Sequence, residues 1–235
     1  MGEETTVTIK YLTFDCYGTL IDWRKGIETS FIEYFAGQDN NLESRHDIFQ
    51  RYVSMEAQEE SDQTSFKSYM QVLEETSIKL AKSMGLSPSL TSGRKFAESI
   101  TKWPAFPDTA PALKKFGNLG KHRTILSNID TELLKGTIKN ADLQVDDFIT
   151  AQEVKSYKPN KEHWLEFFRR TGAKKEEVLH IANSIYHDIV PAKKLGLSNV
   201  WVNRYGEKEP ETKPDRIVSN LSELVSLLED NRFLS

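Results

Sequence analysis

Polar side chains able to carry out hydrolytic chemistry follow four separate apolar runs of the sequence. They belong to Asp15, Thr19, Ser127, Asn128, Lys158, Asn183, Ser184 and Asp188. A carboxylate can attack an electrophile covalently or can activate water. Taken singly, each residue also has a structural explanation, since an aspartate after a strand is often a helix cap. The convergence of two carboxylates, a hydroxyl and an ammonium from separate loops instead indicates an active site.

The order of strands and helices determines whether these loops meet. Short β-branched and aromatic runs predict strands over residues 7–14, 122–126, 148–150, 178–182, 200–203 and 216–218. Apolar residues at helical spacing predict helices over residues 131–140, 161–170, 185–195 and 221–229. Alternation of this kind predicts an α/β fold with a doubly wound, mostly parallel, Rossmann-like sheet.

A helical insert interrupts this alternation after the first predicted strand. From Trp23 to Trp103 the sequence shows helical spacing and no strand pattern, and Pro104 and Pro107 then end the insert. We predict a core domain of residues 1–22 and 105–235 and a helical cap domain of residues 23–104. Because ligands of such sheets bind at the carboxyl ends of the strands, the cap is expected to cover the site as a lid.

The composition limits the classes of partner and compartment. The 235 residues carry a formal net charge of −4 with both signs mixed, so there is no basic stripe that would indicate nucleic acid. No apolar run approaches the length of a membrane span, and no membrane partner is expected. The single cysteine, Cys16, excludes an internal disulfide and favours a reducing compartment, which predicts the cytoplasm. A homodimer is left open.

Four motifs resemble those of the haloacid dehalogenase superfamily, in order and spacing, over nearly the whole chain. The segment FDCYGTL around Asp15 resembles the first motif, Ser127-Asn128 the second, Lys158-Pro159 the third, and ANSIYHD, ending at Asp188, a variant of the fourth. The resemblance implies an α/β core with an inserted helical cap. It also implies an enzyme in which Asp15 is a covalent nucleophile.

Two positions distinguish this sequence from the magnesium-dependent phosphatases of that superfamily. Phosphatases carry an acid two residues after the nucleophile, where this chain has Tyr17, whose reference pKa of about 10 makes it a poor general acid near neutral pH. They also carry an acidic metal ligand at the position of Asn183. The L-2-haloacid dehalogenases are more similar, both around Tyr17 and in the segment WVNR near the end. The resemblance implies no cofactor, with Mg²⁺ required only if the phosphatase alternative holds.

The resemblance also assigns roles to the individual residues. Asp15 would attack C2 of a small carboxylic acid and form an ester, and Asp188 would help to activate the water that hydrolyses it. Lys158 would separate the two carboxylates, which at about 5 Å would otherwise repel by roughly 3 kcal/mol at an effective dielectric of about 20. The implied substrate-binding residues are Tyr17, Thr19, Arg51, Ser127, Asn128, Asn183 and Ser184. Arg51, in the cap, would receive the leaving group, with a solvated helix face as the alternative interpretation.

Two departures from the dehalogenase pattern leave the substrate open. Ile185 replaces an asparagine of the dehalogenases and Trp164 replaces a tyrosine. A related branch opens the strained ring of azetidine-2-carboxylate, with the charged ring nitrogen as leaving group, and this reaction fits the motifs about as well. A phosphatase and a non-catalytic binding relative are further alternatives. His180, inside a predicted strand, and Cys16 are interpreted as packed core residues.

Overall fold

A single parallel sheet organises the chain. The computed structural model describes residues 8–36, 45–61 and 66–230. In these ranges six strands form one sheet in the order β3-β2-β1-β4-β5-β6, and all neighbouring strands are parallel. The strands are β1 (Tyr11–Phe14), β2 (His122–Ser127), β3 (Asp147–Thr150), β4 (Val178–Ala182), β5 (Ser198–Val202) and β6 (Arg216–Val218). The predicted α/β fold with a doubly wound sheet is therefore confirmed.

Strand β1 is shorter than the sequence pattern predicts. The prediction began at residue 7, which lies outside the described residues, whereas the strand begins at Tyr11. Tyr11 pairs with His122 on one side and with Val178 on the other, and these residues are the first of β2 and β4. The ladder around β1 therefore begins where both neighbouring strands begin. The strands that follow β1 are added first on one side, as β2 and β3, and then on the other, as β4 to β6. The gap between β1 and β4 is therefore the topological switch point, where ligands of such sheets bind.

Helices cover both faces of the sheet. In the core they are α5 (Thr109–Asn118), α6 (Thr131–Asn140), α7 (Ala151–Val154), α8 (Glu162–Thr171), α9 (Val190–Lys194) and α10 (Leu221–Glu229). Phe116 of α5 packs in the same apolar cluster as Phe14 of β1, whereas Trp164 of α8 packs in a second cluster with Leu126 of β2. Because successive side chains of a strand point to opposite faces, a strand can contribute to both layers, as β2 does with Ile125 in the first cluster and Leu126 in the second.

Helix α5 lies where no helix was predicted. Its sequence, TAPALKKFGN, contains Pro111 and Gly117, which are typical of turns. The proline lies in the first turn, where its missing N–H costs no intrahelical hydrogen bond. Ala112, Leu113 and Phe116 form the buried stripe that holds the helix on the sheet. Packing thus outweighs the local preference of the two residues.

Every regular element in the described residues of the insert is a helix or a helical turn. They form α1 (Trp23–Phe31), a π-helical turn (Ile32–Ala36), α2 (Arg45–Ser61), α3 (Tyr69–Ser83), α4 (Leu90–Ser99) and a short 3₁₀ turn (Ile100–Lys102). The two connections to the sheet run side by side, because Ile21 and Ala105 form an antiparallel bridge and Asp22 N donates to Pro104 O at 2.8 Å. No helix in the described ranges is long and apolar enough to cross a membrane.

The predicted helix over residues 185–195 has two parts. A π-helical turn, Ile185–Ile189, precedes α9 and carries Asp188. The hydrogen bond from Ile189 N to Ser184 O, at 3.2 Å, spans five residues, as a π-helix requires. Ser184 caps the turn by accepting from His187 N at 3.1 Å. Such single π-helical turns frequently occur at functional sites.

Candidate active site

Asp15 lies at the carboxyl end of β1, in the centre of the sheet. Its N–H continues the ladder to Ile181 O at 3.1 Å. Beyond it the chain turns sharply, with Leu20 N donating to Cys16 O at 2.8 Å and Gly18 at a φ of +95°. Only glycine adopts such a φ without strain. The glycine of the first motif is therefore required by the turn that follows Asp15.

Thr19 holds Asp15 and does not line the cavity. Its hydroxyl donates to Asp15 Oδ2 at 2.8 Å and accepts from Asn183 N at 2.9 Å, and the residue is fully buried. We expected Thr19 to bind substrate, but the turn directs its side chain inward toward the carboxylate. Thr19 thereby connects the loops after β1 and β4, and we assign it to the positioning of Asp15.

Lys158 joins the two carboxylates. Its Nζ donates to Asp15 Oδ1 at 2.9 Å, to Asp188 Oδ1 at 2.7 Å and to Leu126 O at 2.9 Å. An ammonium has three N–H donors, so all of them are used. Asn128 fixes the lysine backbone, accepting from Lys158 N at 2.6 Å and donating to Lys158 O at 3.0 Å. The amide of Asn128 therefore supports the lysine as well as lining the cavity.

Burial and charge give the two carboxylates different proton affinities. Burial raises the pKa of Asp15, because Lys158 and Thr19 do not fully offset the desolvation and Asp188 adds to it. Burial also opposes ionisation of Asp188, but Lys158 and His180 outweigh it and lower its pKa to about 2. Burial likewise opposes the charge of Lys158, yet the two carboxylates raise its pKa. Asp188 is thus the more firmly ionised carboxylate.

His180 contacts the site, which the sequence interpretation did not anticipate. The residue is buried in β4, and its Nε2 lies 3.0 Å from Asp188 Oδ1. Its Nδ1 lies 2.9 Å from the hydroxyl of Thr13, the register partner of His180 in β1. The signal was present, since two polar residues inside adjacent buried strands require hydrogen-bond partners. The second oxygen of Asp188, Oδ2, is buried and has no hydrogen-bond partner.

A cavity of about 440 Å³ opens between the ends of the strands and the cap helices. Its lining contains most of the predicted site residues, namely Asp15, Tyr17, Ser127, Asn128, Lys158, Asn183, Ser184 and Asp188. The residues that sequence reasoning did not assign to the site are Val53, Glu56, Ala57, Tyr69, Tyr186 and Glu207. Trp23, Ile185 and His187 complete the lining. The parallel strands therefore bring together eight of the ten predicted residues.

Several lining side chains are already engaged with protein partners. The amide nitrogen of Asn183 donates to Val202 O at 2.9 Å, and Ser184 Oγ lies 3.1 Å from His187 Nδ1. The hydroxyl of Tyr17 lies 2.7 Å from Thr137 Oγ1. Burial raises the pKa of Tyr17 well above its ordinary value. Tyr17 therefore cannot replace the missing general acid.

Arg51 is not part of the cavity lining. Its guanidinium donates to the carbonyl and the hydroxyl of Ser83, at 3.1 and 2.7 Å. We expected Arg51 to receive the leaving group, but these contacts hold it between α2 and α3. A different residue of α2, the buried Glu56, lines the cavity and accepts from the hydroxyl of Tyr69 at 2.7 Å. In the sequence, Glu56 resembles any other acid on a charged helix.

The carboxylates at this site are arranged around an ammonium rather than around a space for a metal ion. In the ranges that the structure describes, no group of three or more His, Cys, Asp or Glu side chains is arranged to hold a metal. The ammonium of Lys158 lies between Asp15 and Asp188, and no third carboxylate is present at Asn183. Magnesium prefers oxygen ligands, several of them carboxylate or water. We therefore derive no step through a metal.

Haloacid dehalogenases are similar to this chain over nearly its whole length. The (S)-2-haloacid dehalogenase 4A of Burkholderia cepacia is 25% identical over 228 residues, which cover 95% of this chain and 96% of that protein. The L-2-haloacid dehalogenase of Xanthobacter autotrophicus, solved with chloropropionic acid covalently bound, superposes with a TM-score of 0.80 at 21% identity, over 94% of this chain and 99% of that one.

A phosphatase is also among the relatives, with a shorter match. The glyceraldehyde 3-phosphate phosphatase of Methanocaldococcus jannaschii is 32% identical over 87 residues, or 36% of this chain and 38% of that protein. The model of the haloacid dehalogenase-like hydrolase family, in contrast, matches residues 9–196. This range contains all four motifs and the inserted helices. The chain belongs to the haloacid dehalogenase-like hydrolase family.

Proposed function

We propose that this hydrolase acts at C2 of a small 2-substituted carboxylic acid and forms an ester on Asp15. The observation that carries the proposal is the bridge from Lys158 to both Asp15 and Asp188, which leaves Asp188 Oδ2 without a partner. The lysine keeps the nucleophile and the base charged in a buried place, where two unbridged carboxylates would share a proton. Such an arrangement suits two successive displacements, the attack of Asp15 on C2 and the attack of water on the resulting ester.

In the first displacement, a carboxylate oxygen of Asp15 bonds to C2, and the leaving group departs with the electron pair of its bond. In the second, water attacks the carbonyl carbon of the ester and Asp188 Oδ2 takes the proton. The bond between the carbonyl carbon and the substrate oxygen then breaks, and the proton taken up by Asp188 passes to the departing oxygen. The product 2-hydroxy acid keeps an oxygen from Asp15, and the oxygen of water stays on the enzyme.

The loop after β2 supplies groups for the substrate carboxylate. The hydroxyl of Ser127 lines the cavity, and Asn128 Nδ2 uses one hydrogen on Lys158 O, which leaves a second hydrogen for a ligand. Lys158 itself has no donor to spare. Neutral donors therefore hold the substrate carboxylate in this proposal.

The charge of the cavity favours one alternative, a ring-opening reaction on azetidine-2-carboxylate. The lining contains the acids Asp15, Glu56, Asp188 and Glu207, and Lys158 is its only lysine or arginine within the described ranges. A departing halide would carry negative charge past these acids. A charged ring nitrogen would instead be attracted to them. Glu56, on the cap side of the cavity, is the acid that we assign to this contact.

A substrate panel separates the alternatives. Its members are (S)-2-chloropropionate, azetidine-2-carboxylate, and p-nitrophenyl phosphate with and without magnesium. We expect turnover of one of the first two and none of the phosphate ester. Glu56→Gln should lower kcat/KM about 10- to 150-fold for azetidine-2-carboxylate and spare chloropropionate, since a charge-assisted contact is worth about 1.5–3 kcal/mol. Glu59→Gln, in the same helix but outside the lining, is the matched control.

The covalent step has its own test. A single turnover in ¹⁸O-water, with enzyme in excess, should place the label in the peptide that contains Asp15 and leave the product mostly unlabelled. Attack on C2 by a water that Asp188 activates would label the product instead. Mass spectrometry of both species decides, and a labelled product beside an unlabelled peptide would reject the covalent mechanism.

A further inference from the structure

We propose that His180 is a positioning residue that aims Asp188 at the hydrolytic water and so controls the second displacement. The inference rests on the proposed function, since it concerns hydrolysis of the Asp15 ester. His180 itself does not contact Asp15, and within the lining described above it does not reach the cavity. Its influence therefore passes through Asp188.

The imidazole is held on three sides. Nδ1 lies 2.9 Å from Thr13 Oγ1 and Nε2 lies 3.0 Å from Asp188 Oδ1. Trp164 packs edge-to-face on the ring, with centroids 5.2 Å apart and planes at 69°. Thr13 and His180 are also register partners in adjacent strands, so the backbone fixes their separation. The ring therefore has one orientation, set by the sheet.

Hydrogen-bond chemistry defines which atom donates. An ionised carboxylate can only accept, so Nε2 carries the hydrogen that faces Asp188. In a neutral ring Nδ1 then accepts from the hydroxyl of Thr13. The chain Thr13–His180–Asp188 thus runs from the middle of the sheet to the cavity wall.

This chain fixes one oxygen of Asp188 and leaves the other able to accept a proton. Oδ1 receives Lys158 and His180 at 2.7 and 3.0 Å, whereas Oδ2 has no partner. Lys158 donates to both Asp15 and Asp188. The carboxylate of Asp15 loses its charge once the ester forms. His180 is the donor that serves Asp188 alone, so it holds the base in place when water must be activated.

The apolar side chain of Ile185 makes the orientation of Asp188 toward the hydrolytic water more important. Ile185, three residues before Asp188, lines the cavity with an apolar side chain and offers no hydrogen bond to a water molecule. Orientation of the water then depends on Asp188 Oδ2. Because small misplacements of a reacting group cost about 100-fold in rate, loss of the His180 contact should slow hydrolysis of the ester more than its formation.

Two variants of His180 separate positioning from packing. The amide of Gln extends about as far as Nε2 and can still donate to Asp188, whereas the amide of Asn extends only as far as Nδ1. We expect His180→Asn to slow ester hydrolysis about 10- to 100-fold, to lower kcat and KM together, and to accumulate the ester. His180→Gln should recover part of the hydrolysis rate. His122→Asn is the matched control, since His122 also contacts a strand threonine, Thr124, at 3.2 Å, outside the cavity lining.

The measurement is rapid quench with excess (S)-2-chloropropionate or azetidine-2-carboxylate, followed by mass spectrometry of the peptide containing Asp15. Ester in Asp188→Asn but not in His180→Asn would overturn the positioning role and leave the proposed function intact. Equal loss of ester formation and ester hydrolysis would overturn it too. Turnover without ester in any variant would reject the proposed function itself. If His180→Asn does not fold, Thr13→Val replaces it, because this variant removes the hydrogen bond at the other end of the imidazole. It must also accumulate the Asp15 ester, to a smaller extent than is expected for His180→Asn.

Discussion

Replacing Lys158 by methionine tests the electrostatic design of the site most directly. The two Oδ1 atoms that it bridges lie 2.9 and 2.7 Å from its nitrogen. They are therefore at most about 6 Å apart, where two like charges repel by about 3 kcal/mol at an effective dielectric of about 20. Removing one partner of a buried ion pair costs about 3–5 kcal/mol. We expect Lys158→Met to lower the free energy of unfolding by this amount at neutral pH.

The loss should depend on pH, because the variant can relieve the repulsion by protonating Asp15. Lys158 lowers the pKa of Asp15 in the wild type, so its loss lets burial and the charge of Asp188 raise the pKa of that carboxyl further. The folded variant then binds a proton that the unfolded chain has lost, and the free energy of unfolding falls as the pH rises from about 4, the reference pKa of an unfolded aspartate, through the raised pKa of Asp15. The deficit should be small at the acidic end of this window and complete above it.

Urea unfolding of wild type and Lys158→Met at a series of pH values measures this directly. Asp15→Asn/Lys158→Met removes the repulsion together with the ammonium, and we expect it to regain about 3 kcal/mol relative to Lys158→Met. Lys161→Met, at an exposed lysine nearby, is the matched control. A deficit that is the same at every pH, or a double variant no more stable than Lys158→Met, would refute the reasoning.

Three other predictions follow from the site and its supports. Ester formation requires ionised Asp15, whose pKa is raised by burial. The rate of ester formation should therefore begin to fall, as the pH decreases, at a pH above the ordinary pKa range of an aspartate. Pre-steady-state rates that fall only at the ordinary pKa of an aspartate would contradict this. Turnover should survive EDTA, because Lys158 supplies the positive charge between the carboxylates, and loss that magnesium restores would return the phosphatase alternative to first place. Arg204→Met should lower the free energy of unfolding by about 3–5 kcal/mol in urea titrations, because the buried guanidinium donates to both oxygens of Asp108 at 2.8 Å. A loss as small as that of an exposed ion pair would contradict the view that this pair is a buried, stabilising one.

The convergence of the proposed catalytic side chains could be predicted from the sequence, for a local reason. Strand patterns depend on neighbouring residues, and parallel strands bring their carboxyl ends to one edge of the sheet. Asp15, Ser127, Lys158 and Asp188 therefore had to converge once the strands were placed. The glycine of the first turn belongs to the same class, because its φ of +95° is a local requirement.

The tertiary structure alone decided which partner each of these side chains meets. Thr19 turns inward to Asp15, Arg51 binds Ser83, and His180 connects Thr13 with Asp188. Each contact joins residues from separate elements, and its distance depends on how strands and helices pack rather than on spacing along the chain. A histidine inside a strand gives the same local pattern whether it packs against apolar neighbours or orients a carboxylate. The assembled sheet gives His180 its partner, because it places β1, β4 and the turn after β4 side by side.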